Sequence, residues 1–177
     1  MKIDLGKCCI RSYQHSDKAA LVKYADNYKI FRRLKDSFPH PYTEEDAEEW
    51  LGLACSQNPE LNFAIADENE LIGAIGLQLQ DDINRFSAEI GYWIAEPFWA
   101  QGIATSAVSA MTDYTFKHFK FNRLFAGVFE GNEASVKVLE KAGYKLEGKL
   151  RKAVYKDGDF SDQFIYSILK EEHINFN

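Results

Sequence analysis

The chain has 177 residues, 46% of them hydrophobic, and a formal net charge of -6. That length suits one medium domain able to bury its own core, which predicts a single domain over residues 1–177, and the acidic balance argues against a nucleic-acid surface. Lys2, Asp4, Lys7, Arg11, Asp17 and Lys18 interrupt the region where a signal peptide needs an apolar run, and no charge-free segment has the length and apolarity to span a bilayer, so a cytoplasmic protein without membrane contact is expected.

In chain order, KCCIRSY reads as a first strand and SDKAALVKYADNY as a helix capped by Ser16. A second helix follows Tyr42, with Thr43 as N-cap and the acidic residues of TEEDAEEW in its first turn, where the helix dipole favours them. From residue 61 the period changes to strands: LNFAIAD, LIGAIGLQLQ and FSAEIGYWIA, joined by short polar breaks as an antiparallel meander. Ile103, Ala107, Ala110, Met111 and Tyr114 then recur at helical spacing up to about Phe119.

RLFAGVFE is a further strand, and NEASVKVLEKAGY a helix with Asn132 as N-cap and Gly143 at a left-handed C-terminal position. The tail reads as two strands around Asp157 and Gly158, a pair suited to a tight hairpin. These elements predict a mixed α/β (α+β) fold with a mostly antiparallel central sheet of about seven strands flanked by helices. Cys8, Cys9 and Cys55 lack CxxC spacing, and His15, His40, His118 and His173 are scattered, so neither a metal site nor a nucleophile–histidine triad is expected.

The stretch EPFWAQGIATSAVSAM is unusual, because nothing in it ionises after Glu96. A strand ending at Ala95, a short loop and a helix opening near Gly102 leave the first amides of that helix without a partner in their own turn. Those amides and the positive end of the dipole attract phosphate, and a glycine lets a ligand approach the backbone. Close helix packing is the other use of such a glycine. The stretch fits neither GxGxxG nor GxxxxGK(S/T), so the usual dinucleotide and nucleoside-triphosphate motifs are absent.

FWAQGIAT, NEASVKVLEKAGY and LEGKLRKAVYKDGDFSDQFIYSIL, in that order, resemble the GNAT superfamily of acetyl-CoA-dependent N-acetyltransferases, and within it the RimJ/RimL type that acetylates ribosomal-protein N-termini. The likeness runs from the first strand to about Leu169. It implies a GNAT-like fold in which a splayed strand pair forms the acetyl-CoA groove. The family's pyrophosphate pattern, Q/R-x-x-G-x-G/A, falls on WAQGIA, with Gly102 and Ala104 at the small positions and Trp99 departing from the polar one. The resemblance thereby implies a coenzyme site at Ala100, Gln101, Gly102, Ile103, Ala104 and Thr105, with the backbone of Trp93, Ile94 and Ala95 along the pantetheine arm. Asn132 and Ser135 would lie beside that arm, and Asn132 also serves as a helix cap.

The implied reaction is direct attack of a neutral amine on the thioester, with no metal. Glu89 is the candidate general base, against the alternative of an ion pair with a neighbour such as Arg85. The family's tyrosine acid, seven residues beyond the capping asparagine, is Leu139 here, which leaves Ser135 as the candidate donor to the thiolate. Tyr155 and Asp162 are candidates for lining the acceptor site, with strand packing and turn polarity as alternatives. The expected partners are acetyl-CoA and an amine, foremost the N-terminus of a ribosomal or other protein, in a monomer or homodimer. A small amine such as a polyamine, amino sugar or amino acid is the alternative acceptor, and a noncatalytic acetyl-CoA sensor the alternative function.

Overall fold

Alternating apolar residues make strands, and apolar residues three or four apart make helices; the computed structural model, which describes residues 1–176 with side chains through His173, contains both in the expected order. The strands are β1 (Lys2–Asp4), β2 (Cys9–Arg11), β3 (Asn62–Ala66), β4 (Leu71–Leu79), β5 (Ser87–Ile94), β6 (Arg123–Phe129), β7 (Lys145–Lys156) and β8 (Asp159–Leu169). The helices are α1 (Lys18–Ala25), α2 (Tyr28–Phe31), α3 (Glu44–Ser56), α4 (Ile103–His118), α5 (Glu133–Lys141) and α6 (Lys170–Phe176). The eight strands join in the order β1-β2-β3-β4-β5-β6-β8-β7. The strand beyond the seven expected is β1, too short to show alternation, which turns into β2 through Gly6 at φ 85 with its N–H donated to Asp4 Oδ1 at 2.8 Å.

The chain divides into two compact units, the first made of Met1–Gly76 and Tyr92–Ala107, the second of Leu77–Gly91 and the residues from Val108 onward. In the first unit, β1 to β4 pair antiparallel. Their apolar face meets α1 and α3 around Tyr13, Leu21, Tyr42, Leu51 and Leu71, with Trp50 and Trp93 packed against that core. Thr43 caps α3 in a capping box with Asp46, as expected.

The start of α1 differs from the Ser16 cap. A single turn of 3-10 helix, His15–Asp17, comes first, and Asp17 accepts the Gln14 N–H at 2.9 Å. Asp17 is only 4% exposed and takes both Arg11 Nη1 at 2.8 Å and Nη2 at 2.7 Å. A buried carboxylate needs such a partner, and the bidentate pair fixes where the turn begins. The sequence alone does not reveal that Arg11, on a strand, selects Asp17 over Ser16.

In the second unit, β6 pairs antiparallel with β8 from Arg123↔Leu169 to Phe129↔Gln163, and β7 pairs antiparallel with β8. The hairpin joining β7 and β8 turns at Asp157 and Gly158, φ 55 and 86, as the Asp-Gly pair predicts. Gly143, φ 87, ends α5 with Tyr144 N–H donated to Leu139 O at 2.9 Å. Below α4, the Thr112 and Tyr144 hydroxyls share a buried hydrogen bond of 2.8 Å. The β5–β6 ladder is parallel and stops at Glu89↔Phe125, although β5 runs on through Ile90 and Gly91 and β6 through Ala126 to Phe129. The strand pair is splayed from that register onward.

Removing one member of a buried ion pair leaves an uncompensated charge. Asp17→Ala is expected to lower the unfolding free energy by about 3 kcal/mol, read from the shift of the urea midpoint; a change too small to resolve would show that the Arg11–Asp17 pair does not organise this corner.

Candidate coenzyme site and catalytic residues

All the turn residues singled out from the sequence lie in the first unit. β5 gives way to one turn of 3-10 helix, Glu96–Phe98, with Pro97 near its start where the missing N–H is harmless. The chain then takes left-handed backbone at Ala100, φ 60, and again at Gly102, φ 80, before α4 starts at Ile103. A left-handed alanine costs about 1–2 kcal/mol, and such strain is characteristic of turns held for a purpose. A Cβ added at Gly102 would meet nothing within 4 Å, so the corner faces open space.

Ser106 N–H donates to Gly102 O at 3.1 Å. Ahead of that bond lie the amides of Gly102, Ile103, Ala104 and Thr105, which lack a partner one helical turn earlier in their own helix. With the positive end of the α4 dipole, a run of 16 residues, they form a set of donors suited to an anion. Each charge so placed contributes about 0.3 to 2 kcal/mol, so several amides must converge to hold a diphosphate. Gln101 is exposed and its side chain donates to Pro97 O at 3.3 Å, which braces the loop.

The end of β5 is already partly engaged. Ala95 N–H donates to Ile72 O of β4 at 2.8 Å. Strand alternation therefore turns the Ile94 N–H away from β4. The Ile94 carbonyl accepts the Trp99 indole N–H at 2.6 Å. Trp99, the residue that departs from the family pattern, is thus bonded to the strand that leads into the turn. The Trp93 carbonyl passes 2.4 Å from where a Cβ of Gly73 would stand, so only glycine fits opposite it on β4. Trp93 itself packs edge-on against Phe38, ring centroids 6.0 Å apart.

The remaining candidates belong to the second unit. Glu89 is half-buried on the face of β5 that also carries Ser87 and Gly91, at the last register pair with β6. Arg85, the neighbour weighed as its ion-pair partner, donates to Asp82 O at 2.8 Å and lies over the Phe86 ring. Asn132 caps α5, its Oδ1 accepting Ser135 N–H at 3.4 Å alongside its own carbonyl at 3.1 Å. Ser135 is half-buried in the first turn of α5. Leu139, at the position of the family's tyrosine, is 0% exposed and belongs to the core.

In the hairpin, Asp162 accepts Lys152 N–H at 2.7 Å and pairs with Lys149 at 2.5 Å, and the Lys149 ammonium holds its carboxyl below the usual range. The exposed Tyr155 packs its ring on Phe160 at 4.9 Å. Hairpin geometry accounts for both. Among the described residues no group of three or more His, Cys, Asp or Glu is placed to hold a metal ion, and no helix is long and apolar enough to cross a membrane.

Residues 7–145 match the Acetyltransferase (GNAT) domain. The chain belongs to the GNAT acetyltransferase family. It is 41% identical to YdaF of Bacillus subtilis (strain 168), which carries the provisional name of ribosomal N-acetyltransferase, over 81% of this chain and 77% of that one. Its fold superposes on a GNAT-family acetyltransferase from Bacillus anthracis with a TM-score of 0.82, 26% identity, and coverage of 97% of this chain and 99% of that one. Mycobacterium smegmatis RimJ, solved in complex with CoA-disulfide, gives a TM-score of 0.83 at 25% identity over 95% and 84% of the two chains.

The expected fold therefore holds, as do the RimJ/RimL likeness and the activity class of an acetyl-CoA-dependent N-acetyltransferase. The Trp99 indole N–H is taken up by the Ile94 carbonyl, so this side chain serves the chain's own path into the turn. Trp99→Phe keeps an aromatic ring but loses the pyrrole half with its N–H, and should lower stability by about 1 kcal/mol, measured by thermal unfolding. An unchanged melting temperature would show that the bond to Ile94 is dispensable.

Proposed function

We propose that this GNAT enzyme acetylates the α-amine of a protein N-terminus, with residues 1–177 acting as one catalytic domain. The family match, residues 7–145, runs through segments of both compact units, which supports treating them as one catalyst. The observation that carries the reading is the open corner at Gly102, φ 80, ahead of the first amides of α4, which have no partner within their own helix. The residues there fit a diphosphate: main-chain donors, a helix dipole, and no acidic side chain between Glu96 and Asp113.

In this reading the amides of Ala100, Gln101, Gly102, Ile103, Ala104 and Thr105 bind and orient the diphosphate of acetyl-CoA. The backbone of Trp93, Ile94 and Ala95 aligns the pantetheine arm through the groups that β4 and Trp99 leave available, with Asn132 and Ser135 also beside the arm. The Ile94 N–H donates to the oxygen that gains negative charge as the amine attacks. Acetyl-CoA supplies the activated acyl group. Holding amine and thioester in attack geometry lowers the barrier by roughly 7 to 11 kcal/mol, so orientation is the main catalytic contribution.

Proton transfer separates the acceptors. An α-amine, with pKa about 7.7 to 8.0, needs under about 1 kcal/mol to lose its proton near pH 7.4, whereas a lysine near 10.4 needs about 4. A single carboxylate such as Glu89, acting directly or through water, meets the smaller demand. Ser135 donates a hydrogen bond to the departing thiolate, the task that the buried Leu139 has no group to perform.

Gly102→Val adds a side chain in the open corner and should weaken coenzyme A binding at least tenfold, equivalent to about 1.4 kcal/mol, while the circular dichroism spectrum stays folded; undiminished affinity in calorimetry rejects the corner as the diphosphate site. Glu89→Gln should lower kcat by about a hundredfold or more without a matching loss of acetyl-CoA affinity. Thiol release with peptides of varied first residue, set against polyamines, amino sugars and amino acids, tests the acceptor; turnover confined to the small amines would overturn the protein N-terminus.

A further inference from the structure

A Cβ on Gly127 of β6 would stand 2.3 Å from Gln163 Nε2 and 3.1 Å from Gln163 Cδ, so the absent side chain is the seat of the Gln163 carboxamide. Gln163 lies on β8, where it pairs with Phe129 of β6 on one side and Leu150 of β7 on the other. Residues opposite one another in a ladder share a face, so the amide stands between two apolar side chains. It is half-buried, and among the described residues none hydrogen-bonds its carboxamide, which carries donors and an acceptor. Beside it the edge strand bows away. Leu150 pairs with Gln163 and Val154 with Ser161, which leaves residues 151–153 of β7 opposite Asp162 alone. That bulge is fixed in place, for Lys152 takes φ 51 and donates its N–H to Asp162 Oδ1 at 2.7 Å.

The same face carries Glu89. Glu89 pairs with Phe125, and Phe125, Gly127 and Phe129 alternate onto one side of β6, so the Gln163 amide and Glu89 share a face within the second unit. Strands about 4.8 Å apart, with a rise of about 3.3 Å per residue, set Gly127 about 8 Å from Glu89 along the diagonal. This is the direction in which β5 and β6 stop pairing. A Cβ at Gly91, the next residue of β5 on that face, would meet nothing within 4 Å, so the ground beside Glu89 is open. One residue of extended chain covers roughly 3.5 Å, and a hydrogen bond at each end adds about 2.9 Å. A single aminoacyl unit therefore bridges the two side chains.

We propose that Gln163 is the acceptor-binding residue that recognises the first peptide group of a protein N-terminus, its Nε2–H donating to the carbonyl oxygen of acceptor residue 1 while the α-amine faces Glu89. This rests on the reading that the chain acetylates a protein α-amine with Glu89 as its base. Every protein N-terminus carries that carbonyl one carbon away from its amine, whereas a polyamine, an amino sugar or a lysine side chain has none there. A polar group set to bond one substrate atom disfavours substrates that lack the atom, because it is then left unpaired.

Steady-state kinetics on the whole protein test this with an N-terminal peptide and an analogue whose first carbonyl is a methylene. The wild type should prefer the peptide. Gln163→Met, which keeps the length of the side chain, should lower kcat/KM for the peptide about tenfold or more and for the analogue less than about twofold, so that the preference falls by about tenfold. Taking the ratio between enzymes cancels the different basicity of the two amines. Gly127→Ala, whose Cβ evicts the carboxamide, should reproduce the loss, and Gln163→Ser carries the same comparison if the methionine variant does not fold. Coenzyme A affinity in calorimetry should not change in these variants. Equal losses on both substrates would make Gln163 merely structural and overturn the proposal alone, as would full activity of Gln163→Met on the peptide. Turnover of small amines and of no peptide by the wild type overturns the protein N-terminus reading and this proposal with it.

Discussion

A helix starts with amides that its own hydrogen-bond pattern cannot satisfy, and they turn instead to capping side chains, water, a tightened turn or a ligand. This chain treats its helices differently. Thr43 caps α3 and Asn132 caps α5 with side-chain oxygens. Ahead of α4 stand Trp99, Ala100, Gln101 and Gly102; the two polar side chains among them, Trp99 and Gln101, donate to the carbonyls of Ile94 and Pro97. The turn takes left-handed backbone at Ala100 and Gly102, and the space where a Cβ of Gly102 would stand is open.

The strand that delivers this turn is specialised along its length. β5 is paired with β6 only up to Glu89, and beyond that point its Ala95 N–H is given to β4 and its Ile94 carbonyl to Trp99. Parallel strands that cease to pair leave backbone groups without a ladder partner. The Cβ-free surface of Gly73 opposite Trp93 lets β4 follow the end of β5 closely. Small residues on one strand thus fix the path of another.

Much of this was readable from residue order. Runs of branched and aromatic residues located the main strands, the Asp-Gly pair marked the last hairpin, and Thr43, Asn132 and Gly143 marked helix ends where the structure has them. Those signals are local, because caps and turns are decided by dihedral angles and by oxygens within a few residues. β1, α2 and α6 were not foreseen, being three, four and seven residues long and offering too little periodicity to stand out. Ser16 was read as a cap because serine is a good one, and Asp17 took the role through Arg11 on a neighbouring strand.

The sequence by itself determined the order of the main elements, the run without ionising side chains that opens α4, and a family likeness strong enough to imply the acetyl donor, since each depends on neighbours in the chain. Only the tertiary structure decided that Trp99 bonds Ile94, that Leu139 is sealed in the core, and that Glu96 meets Asn27 and Lys29. Burial and long-range pairing follow from how elements pack. Contacts between residues separated by most of a hundred positions leave no periodic mark in the chain, because nothing in local backbone geometry requires them.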